Sequence, residues 1–365
     1  MKNSFGSSIT VTLFGESHGA AIGAVVDGLA PGIRVDHEYI AARLTERRPS
    51  GKISTARVEA DEYEIISGEF NGYTTGTPLT LIIRNENTRS CDYASLLHTP
   101  RPSHADYAAG IKYGGYQDYR GGGHFSGRVT AALVAVGAII RSALEKKGIY
   151  IGTHIASIKG IKDRAFSNYA SDIEALRGAH FPTLDTEAAE KMCAKIEAAR
   201  LACDSVGGVL ESAVIGLPAG VGEPWFDTLE GTLSHILFSV PAVKGVEFGL
   251  GFGFGDAVGS EANDAFATDG ESVYTKTNNN GGINGGISNG MPIIFRTAIK
   301  PTPSIAREQE SVSLEKMENV SLSVTGRHDP CIVHRARAVV DAVTAIAIAD
   351  ALAVKFGTDY LRSKK

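Results

Sequence analysis

Apolar and polar positions alternate, imperfectly, along Ile9-Thr10-Val11-Thr12-Leu13-Phe14, and a short β-branched run follows at residues 22–26. Two strands joined by Gly15-Glu16-Ser17-His18-Gly19 read as a hairpin whose turn carries three polar side chains. Asp36 is placed to cap a helix that runs to Arg48, where Pro49 stops it. Arg43 and Arg47 stand four apart on it and therefore share a face. Strands are predicted over 62–67 and 79–84. From 85 to 127 periodicity fades into a long polar loop, and such loops inside compact chains are usually functional. Residues 129–147 are small and apolar on nearly all sides, which predicts a buried helix closed by Gly148. A more exposed helical insert spans 163–204, with its helix over 186–200. A strand follows at 209–217, then a helix from Asp227 to about 238 and a Gly-rich stretch at 244–259. Asn278-Asn279-Asn280-Gly281-Gly282 leads toward a strand at 292–299. The chain closes on a long helix over 332–356 whose Ala, Val and Ile faces are broken by Asp341 and Asp350, so it faces a core. The sum is one α+β unit, with two long buried helices among sheet strands.

Composition narrows the function classes. Hydrophobic residues make up 43% and charged residues 21% of 365, enough for a substantial core. A net charge of −5 argues against a general nucleic-acid or membrane-surface binder. The four cysteines form no CxxC pair, and reduced, mostly buried thiols in a cytoplasmic protein are expected. The apolar run 129–140 is shorter than the roughly 20 residues a bilayer-spanning helix needs. The 42 glycines are clustered, as where backbone must approach a ligand or another strand closely.

Several clusters can carry chemistry. Gly15 and Gly19 let one turn present Glu16 and His18 together. In Arg101-Pro102-Ser103-His104-Ala105-Asp106-Tyr107, His104 is a candidate general acid. Gly121-Gly122-Gly123 before His124, Ser126 and Arg128 precedes a helix, where backbone N–H groups favour phosphate. It has neither the Lys-Ser/Thr pair of a Walker loop nor a dinucleotide βαβ pattern. Arg43, Arg47, Arg48, Lys52 and Arg57 are concentrated within a net acidic chain, and Arg forks suit carboxylate and phosphate. Asp329 reads as the cap of the last helix, with Arg327, His328 and Arg335 around a helix start whose dipole disfavours cations, so an anion is expected there. A metal-dependent hydrolase using His18, His104, His124 and Asp329 is a competing class, although no HExxH spacing supports it. A flavin- or nucleotide-binding module without turnover is another.

In order, these motifs resemble the chorismate synthase family. Gly15-Glu16-Ser17-His18-Gly19 with Val26-Asp27-Gly28-Leu29-Ala30-Pro31 is similar to its first signature. Arg101-Pro102-Ser103-His104-Ala105-Asp106, Asp118-Tyr119-Arg120-Gly121-Gly122-Gly123, Gly281-Gly282-Ile283-Asn284-Gly285-Gly286 and Arg327-His328-Asp329-Pro330-Cys331 match later ones. The resemblance implies a single-domain β-α-β sandwich, with long core helices between antiparallel sheets, that assembles as a homotetramer. It implies 1,4-anti elimination of phosphate from 5-enolpyruvylshikimate 3-phosphate to give chorismate. Reduced FMN is implied as the cofactor, regenerated and not consumed. The flavin is expected to be reduced by an external reductase, because the chain has little spare length for a reductase domain. By the same resemblance His18 and His104 handle protons and Asp329 tunes the flavin. Arg47, Arg48, Lys52, Arg128 and Arg335 would grip substrate. The flavin would lie against His124, Phe125, Ser126, Pro241, Ala242, Gly285, Lys300, Pro301, Thr302, Pro303, Ser304 and Arg327. No metal is expected. Three positions depart from the common pattern. His124-Phe125 stand where many members carry Arg and a small residue, Pro241 where Asn is frequent, and Asp341 where Glu is usual.

Overall fold

The computed structural model describes residues 2–49, 51, 53–54, 60–86, 97–324 and 329–363. Lys52, Arg57, Cys91, Arg327 and His328 lie outside the described residues, so the readings placed on them are not developed further. In the first half, β1 (Ser4–Phe5), β2 (Thr10–Gly15) and β3 (Ala21–Asp27) precede α1 (His37–Arg47). Then come β4 (Tyr63–Ser67), the small hairpin β5–β6 (Glu69–Phe70, Tyr73–Thr74), β7 (Leu79–Arg84), α2 (Asp106–Lys112) and α3 (Thr130–Glu145). The first sheet runs β1-β2-β3-β7-β4, all antiparallel. Asp36 caps α1 as its position suggests, accepting from the Tyr39 N–H at 3.0 Å.

The second half begins with β8 (Tyr150–Ile158), β9 (Ile161–Lys162), α4 (Tyr169–Ala175) and α5 (Thr186–Leu201). It continues through β10 (Gly208–Ile215), α6 (Leu229–Leu237), β11 (Val243–Phe248) and α7 (Gly259–Ala262). Two small hairpins follow, β12–β13 (Phe266–Thr268, Val273–Thr275) and β14–β15 (Ile283–Asn284, Ile287–Ser288). The chain then forms β16 (Ile293–Ile299), the hairpin β17–β18 (Gln309–Ser313, Glu318–Leu322) and α8 (Val333–Phe356). The second sheet runs β11-β16-β10-β8-β9, again antiparallel. The helix α3 packs along α8 while touching β3 and β7 of one sheet and β8 of the other, and α8 lies on β8 and β10. The helices thus form a middle layer between two antiparallel sheets, the α+β sandwich expected. The helices approach closely at Gly137, where a side-chain carbon would fall 2.5 Å from Ala342 Cβ.

Several local expectations change. The loop over 85–127 contains the short helix α2. Thr228, not Asp227, caps α6, its hydroxyl accepting from Gly231 N. Asp329 does not cap α8. The cap position is Ile332 without a side-chain bond, and Asp329 pairs instead with Arg335. Of the three described cysteines only Cys331 is buried, and Cys203 is exposed. With the turn before it, α3 (Gly127–Glu145) is long and apolar enough to cross a membrane, so the short-run argument does not hold. Its apolar surface is engaged elsewhere, since 89% of the segment is buried inside the protein.

The middle layer holds charges as well as hydrocarbon. Arg141 Nη1 donates to Asp341 Oδ2 at 3.0 Å, and Arg337 Nη1 donates to Glu46 Oε2 at 2.8 Å. Glu46 Oε1 is 3.0 Å from Arg43 and accepts from Gly178 N at 2.9 Å. Burial pushes the neighbouring Tyr39 phenol up to about 12. This network ties α1, α3 and α8 together at side chains one or two residues from Arg47 and Arg335. At the far end of α8, the Asp350 carboxylate accepts the backbone N–H groups of Ser7, Ser8 and Ile9 at 2.7–2.9 Å.

Candidate functional site: a cationic cavity beside two histidines

A cavity of about 850 Å³ opens where the edge of the first sheet, the start of α3, the start of α8 and the segment after β16 meet. Seven basic side chains and two carboxylates line it: Lys2, Arg47, Arg101, Arg128, Lys244, Lys300 and Arg335 against Asp61 and Asp329. Such a surplus of positive charge within a net acidic chain marks a site for a polyanion. Arg47 sits on the last turn of α1, Arg128 in the turn before α3 and Arg335 on the first turn of α8. Arg335 Nε donates to the Arg47 carbonyl at 2.9 Å, so two of the three elements are joined at the site itself.

Two histidines meet across the glycine run. His18 leaves the β2–β3 turn and is 6% exposed. Ser17 Oγ donates to the Arg120 carbonyl at 3.2 Å, so toward His18 Nδ1, 3.1 Å away, it can only accept. The neutral ring therefore carries its proton on Nδ1 and its lone pair on Nε2. His104 is held from the other side. Its Nδ1 donates to Asp106 Oδ1 at 2.5 Å, and Arg101 clasps the same carboxylate through Nε and Nη2, each at 2.8 Å. Burial raises the Asp106 pKa, but the hydrogen bonds from Arg101 and His104 outweigh it and hold the carboxyl well below its usual range. Arg101 Nη2 is 3.1 Å from His104 Nδ1, yet both are donors, and the carboxylate between them joins the pair. The proton on Nδ1 is fixed, so exchange falls to Nε2.

Gly121, Gly122 and Gly123 all adopt positive φ, at 62°, 98° and 54°. They form the loop that precedes the helix, as expected from the sequence, and Ser126 caps the following turn by accepting from Arg128 N at 3.2 Å. Their service is close approach. A side-chain carbon at Gly121 would lie 2.2 Å from His18 Cε1 and Nδ1, and one at Gly122 would lie 3.4 Å from His104 Nε2. Gly121→Ala should therefore displace His18 and lower turnover about 100-fold, as expected for misplacement of about 1 Å. Gly255→Ala, whose added carbon meets nothing within 4 Å, should leave turnover unchanged. Equal rates in the two variants would show that the His18 position does not matter.

Most residues expected at the site converge on this cavity. Arg47, His104, His124, Phe125, Ser126, Arg128, Pro241, Ala242, Lys300, Thr302, Pro303, Ser304, Asp329 and Arg335 line it. His124 Nδ1 donates to the Gly15 carbonyl at 2.8 Å and anchors the glycine loop to the hairpin. Burial and the nearby Lys244 pull the Lys300 ammonium below its usual range, and it reaches the Ser103 carbonyl. His18 lies behind the glycine loop, Arg48 stands at the end of α1 with Nε 4.0 Å from Asp61, and Pro301 sits beside lining residues. Gly285 is the exception. It occupies the tip of the β14–β15 hairpin, away from the cavity lining. Sequence reasoning missed Asp61, Lys244 and the roles of Arg101 and Asp106. The spacing Arg101-x-x-His104-x-Asp106 held the signal for the last two. No three His, Cys, Asp or Glu side chains among the described residues are grouped to hold a metal ion.

A β-α-β sandwich whose middle-layer helices present arginines to one cavity, with His104 oriented at its wall and His18 behind the glycine loop, has the form of an enzyme active site. Residues 9–353 match the chorismate synthase family, and the chain belongs to it. Chorismate synthase of Thermococcus gammatolerans is 47% identical over 347 residues, covering 95% of this chain and 96% of that one. The Dehalococcoides mccartyi protein of the same name (strain BAV1) is 45% identical over 365 residues, 98% of each chain. A crystal structure of chorismate synthase superposes with a TM-score of 0.75 at 30% identity, over 96% of this chain and 94% of that one. The chain is thus an enzyme of the lyase class.

Proposed function

We propose that the chain, acting as a single cytoplasmic domain, converts 5-enolpyruvylshikimate 3-phosphate to chorismate by 1,4-anti elimination of phosphate, with reduced FMN. The observation that carries this reading is the single cavity in which Arg47, Arg128 and Arg335 face His104, its Nδ1 proton pinned by Asp106. A substrate with two carboxylates and a phosphate needs several guanidinium groups, and a leaving phosphate needs a proton donor or charge beside it. His104 Nε2 would hold that proton at the phosphate. Nε2 of His18 is the basic edge on the other side of the glycine loop. Arg335 binds a substrate anion while its partner Asp329 orients it.

The cavity is larger than one small substrate needs, lying toward the upper end of the roughly 300–1,000 Å³ usual for ligand sites. One wall is hydrocarbon, built by Phe125, Val240, Pro241, Ala242 and Pro303, and suits a flat ring. Ser126, Lys300, Thr302 and Ser304 would hold the polar edges of the flavin, and His124 the loop that carries Phe125. The chemistry that reduced FMN supplies when bound is electron density that helps expel phosphate and a base for the departing proton. The substrate loses a C–O bond to phosphate and one proton, with no net oxidation, so the flavin is regenerated. An external source, a flavin reductase, would keep it reduced. The homotetramer that the family resemblance implies would have candidate contact rings in the exposed Trp225, Phe226 and Phe252.

The test is anaerobic. The protein is mixed with 5-enolpyruvylshikimate 3-phosphate and dithionite-reduced FMN, and chorismate absorbance and phosphate release are followed. Product formed only with reduced flavin is expected. Folded, flavin-binding protein that releases no phosphate would overturn the assignment.

A further inference from the structure

Asp61 has no sequence signature, yet it sits among the cations of the cavity with its side chain 1% exposed. Oδ2 accepts from Arg47 Nη1 at 3.0 Å, Oδ1 accepts from Arg128 Nη1, and Arg48 Nε stands 4.0 Å from Oδ2. Its backbone has a φ of 52°, in the left-handed region that Asp enters more readily than most side-chain-bearing residues.

Other N–H groups of the two arginines are engaged with the protein. Arg47 Nε donates to Thr130 Oγ1 at 3.1 Å, and its Nη2 donates to the carbonyls of Gly127 and Arg128. Arg128 Nε donates to Asn85 Oδ1 at 3.1 Å, and its Nη2 donates to the Arg84 carbonyl at 3.3 Å. Among the described residues, Asp61 is the carboxylate that both guanidinium groups meet. An anion seeking both forks meets a carboxylate already seated there. Like charges cannot share such a position without a cost of several kcal/mol in a poorly solvated site.

We infer that Asp61 is a resident counter-anion, occupying the arginine edges that a phosphate or carboxylate of the substrate takes over, and so setting how tightly the cavity holds anions. The inference rests on the proposed function for the identity of the substrate, while the chemistry involved is any anionic oxygen on two guanidinium forks. Binding is then an exchange of anions. A monoanion gains little by replacing Asp61, whereas a phosphate dianion brings more charge than the carboxylate it displaces. The same exchange run backwards returns Asp61 to the forks and helps phosphate leave.

Isothermal titration of the full chain without flavin, so that no turnover occurs, tests this with two probes, inorganic phosphate and 5-enolpyruvylshikimate 3-phosphate. Asp61→Asn should bind inorganic phosphate about tenfold more tightly than wild type, since the competing charge is gone. Asp61→Glu retains the charge and should bind it no more tightly than wild type. An Asn variant that folds and binds phosphate no better than wild type overturns the inference and makes Asp61 a strut for the arginines. If the Asn variant does not fold, wild-type crystals grown with and without inorganic phosphate decide. Arg47 and Arg128 must turn from Asp61 to the phosphate, and forks that keep Asp61 while phosphate lies elsewhere overturn it. Tighter phosphate binding by the Asn variant, with no binding of 5-enolpyruvylshikimate 3-phosphate by either protein, would count against the proposed function alone.

Discussion

His104→Ala should lower turnover by about two orders of magnitude or more while leaving substrate affinity within a few-fold of wild type. The ring is oriented before any substrate arrives. Asp106 accepts a hydrogen bond from its Nδ1–H, Arg101 fixes Asp106, and Arg101 Nη1 reaches Ser304 Oγ at 3.3 Å in the segment after β16. Truncation removes the one group whose exchangeable edge faces the glycine loop at the cavity wall, and the guanidinium groups that dominate anion binding remain. The measurement is the anaerobic turnover rate with saturating reduced FMN, paired with calorimetric affinity for the substrate. A near-normal rate would remove His104 from proton handling. A large loss of affinity with an unchanged rate would recast it as a binding residue.

Asp341→Asn should destabilise the protein by about 3–5 kcal/mol, the range found when one member of a buried ion pair is removed. Asp341 is 2% exposed at its side chain and accepts from Arg141 at 3.0 Å and from Arg337 at 3.5 Å. Burial lowers the Arg141 pKa, but Asp341, Tyr39 and Glu145 outweigh it and keep the guanidinium charged, so without the carboxylate a buried cation loses its main counter-charge. Arg141 keeps Glu145, 3.5 Å away, and the Ile151 carbonyl, which puts the expected loss at the low end of that range. The urea midpoint should fall at unchanged m. An unfolding free energy within about 0.5 kcal/mol of wild type would mean that Glu145 alone neutralises Arg141. The family resemblance puts Glu at this position in most members. The shorter Asp here still reaches Arg141 on α3, where Gly137 lets the two helices approach closely, and Arg337 one turn before it on α8.

What the sequence disclosed follows from the range of the interactions. The β2–β3 hairpin, α1 with Asp36 and the long middle-layer helices were legible because alternation, capping and helical periodicity act over a few residues. Strand β8 was not. Its residues 151–155 are buried on both faces, so no alternation marks it, and His154 interrupts the apolar run. That histidine is buried between Asp163 and Glu211, at 2.9 and 3.1 Å. Burial pulls its pKa down, but those hydrogen bonds prevail and raise it above the ordinary value. At the site, His18, His104 and the arginines stood in recognisable motifs. Asp61 did not, because its partners Arg47 and Arg128 are 14 and 67 residues away in sequence. Asp329 was read as a cap because an Asp before a helix usually is one. The nearby guanidinium of Arg335 is a stronger competitor for its carboxylate.

The bond set made by Asp350 has a consequence for how the chain is born. Ser7, Ser8 and Ile9 depend on a carboxylate more than 340 positions later, on a helix that packs along α3 and lies on β8 and β10. A ribosome that has emitted the first sheet and α3, which packs on it, has still not supplied the carboxylate that holds residues 7–9. The turn that leads into β2 must wait, unanchored, through most of synthesis, until the final helix is made. Loss of the last two turns of α8 should thus leave the earliest-made residues unanchored, a failure felt first at the opposite end of the polypeptide from the lesion.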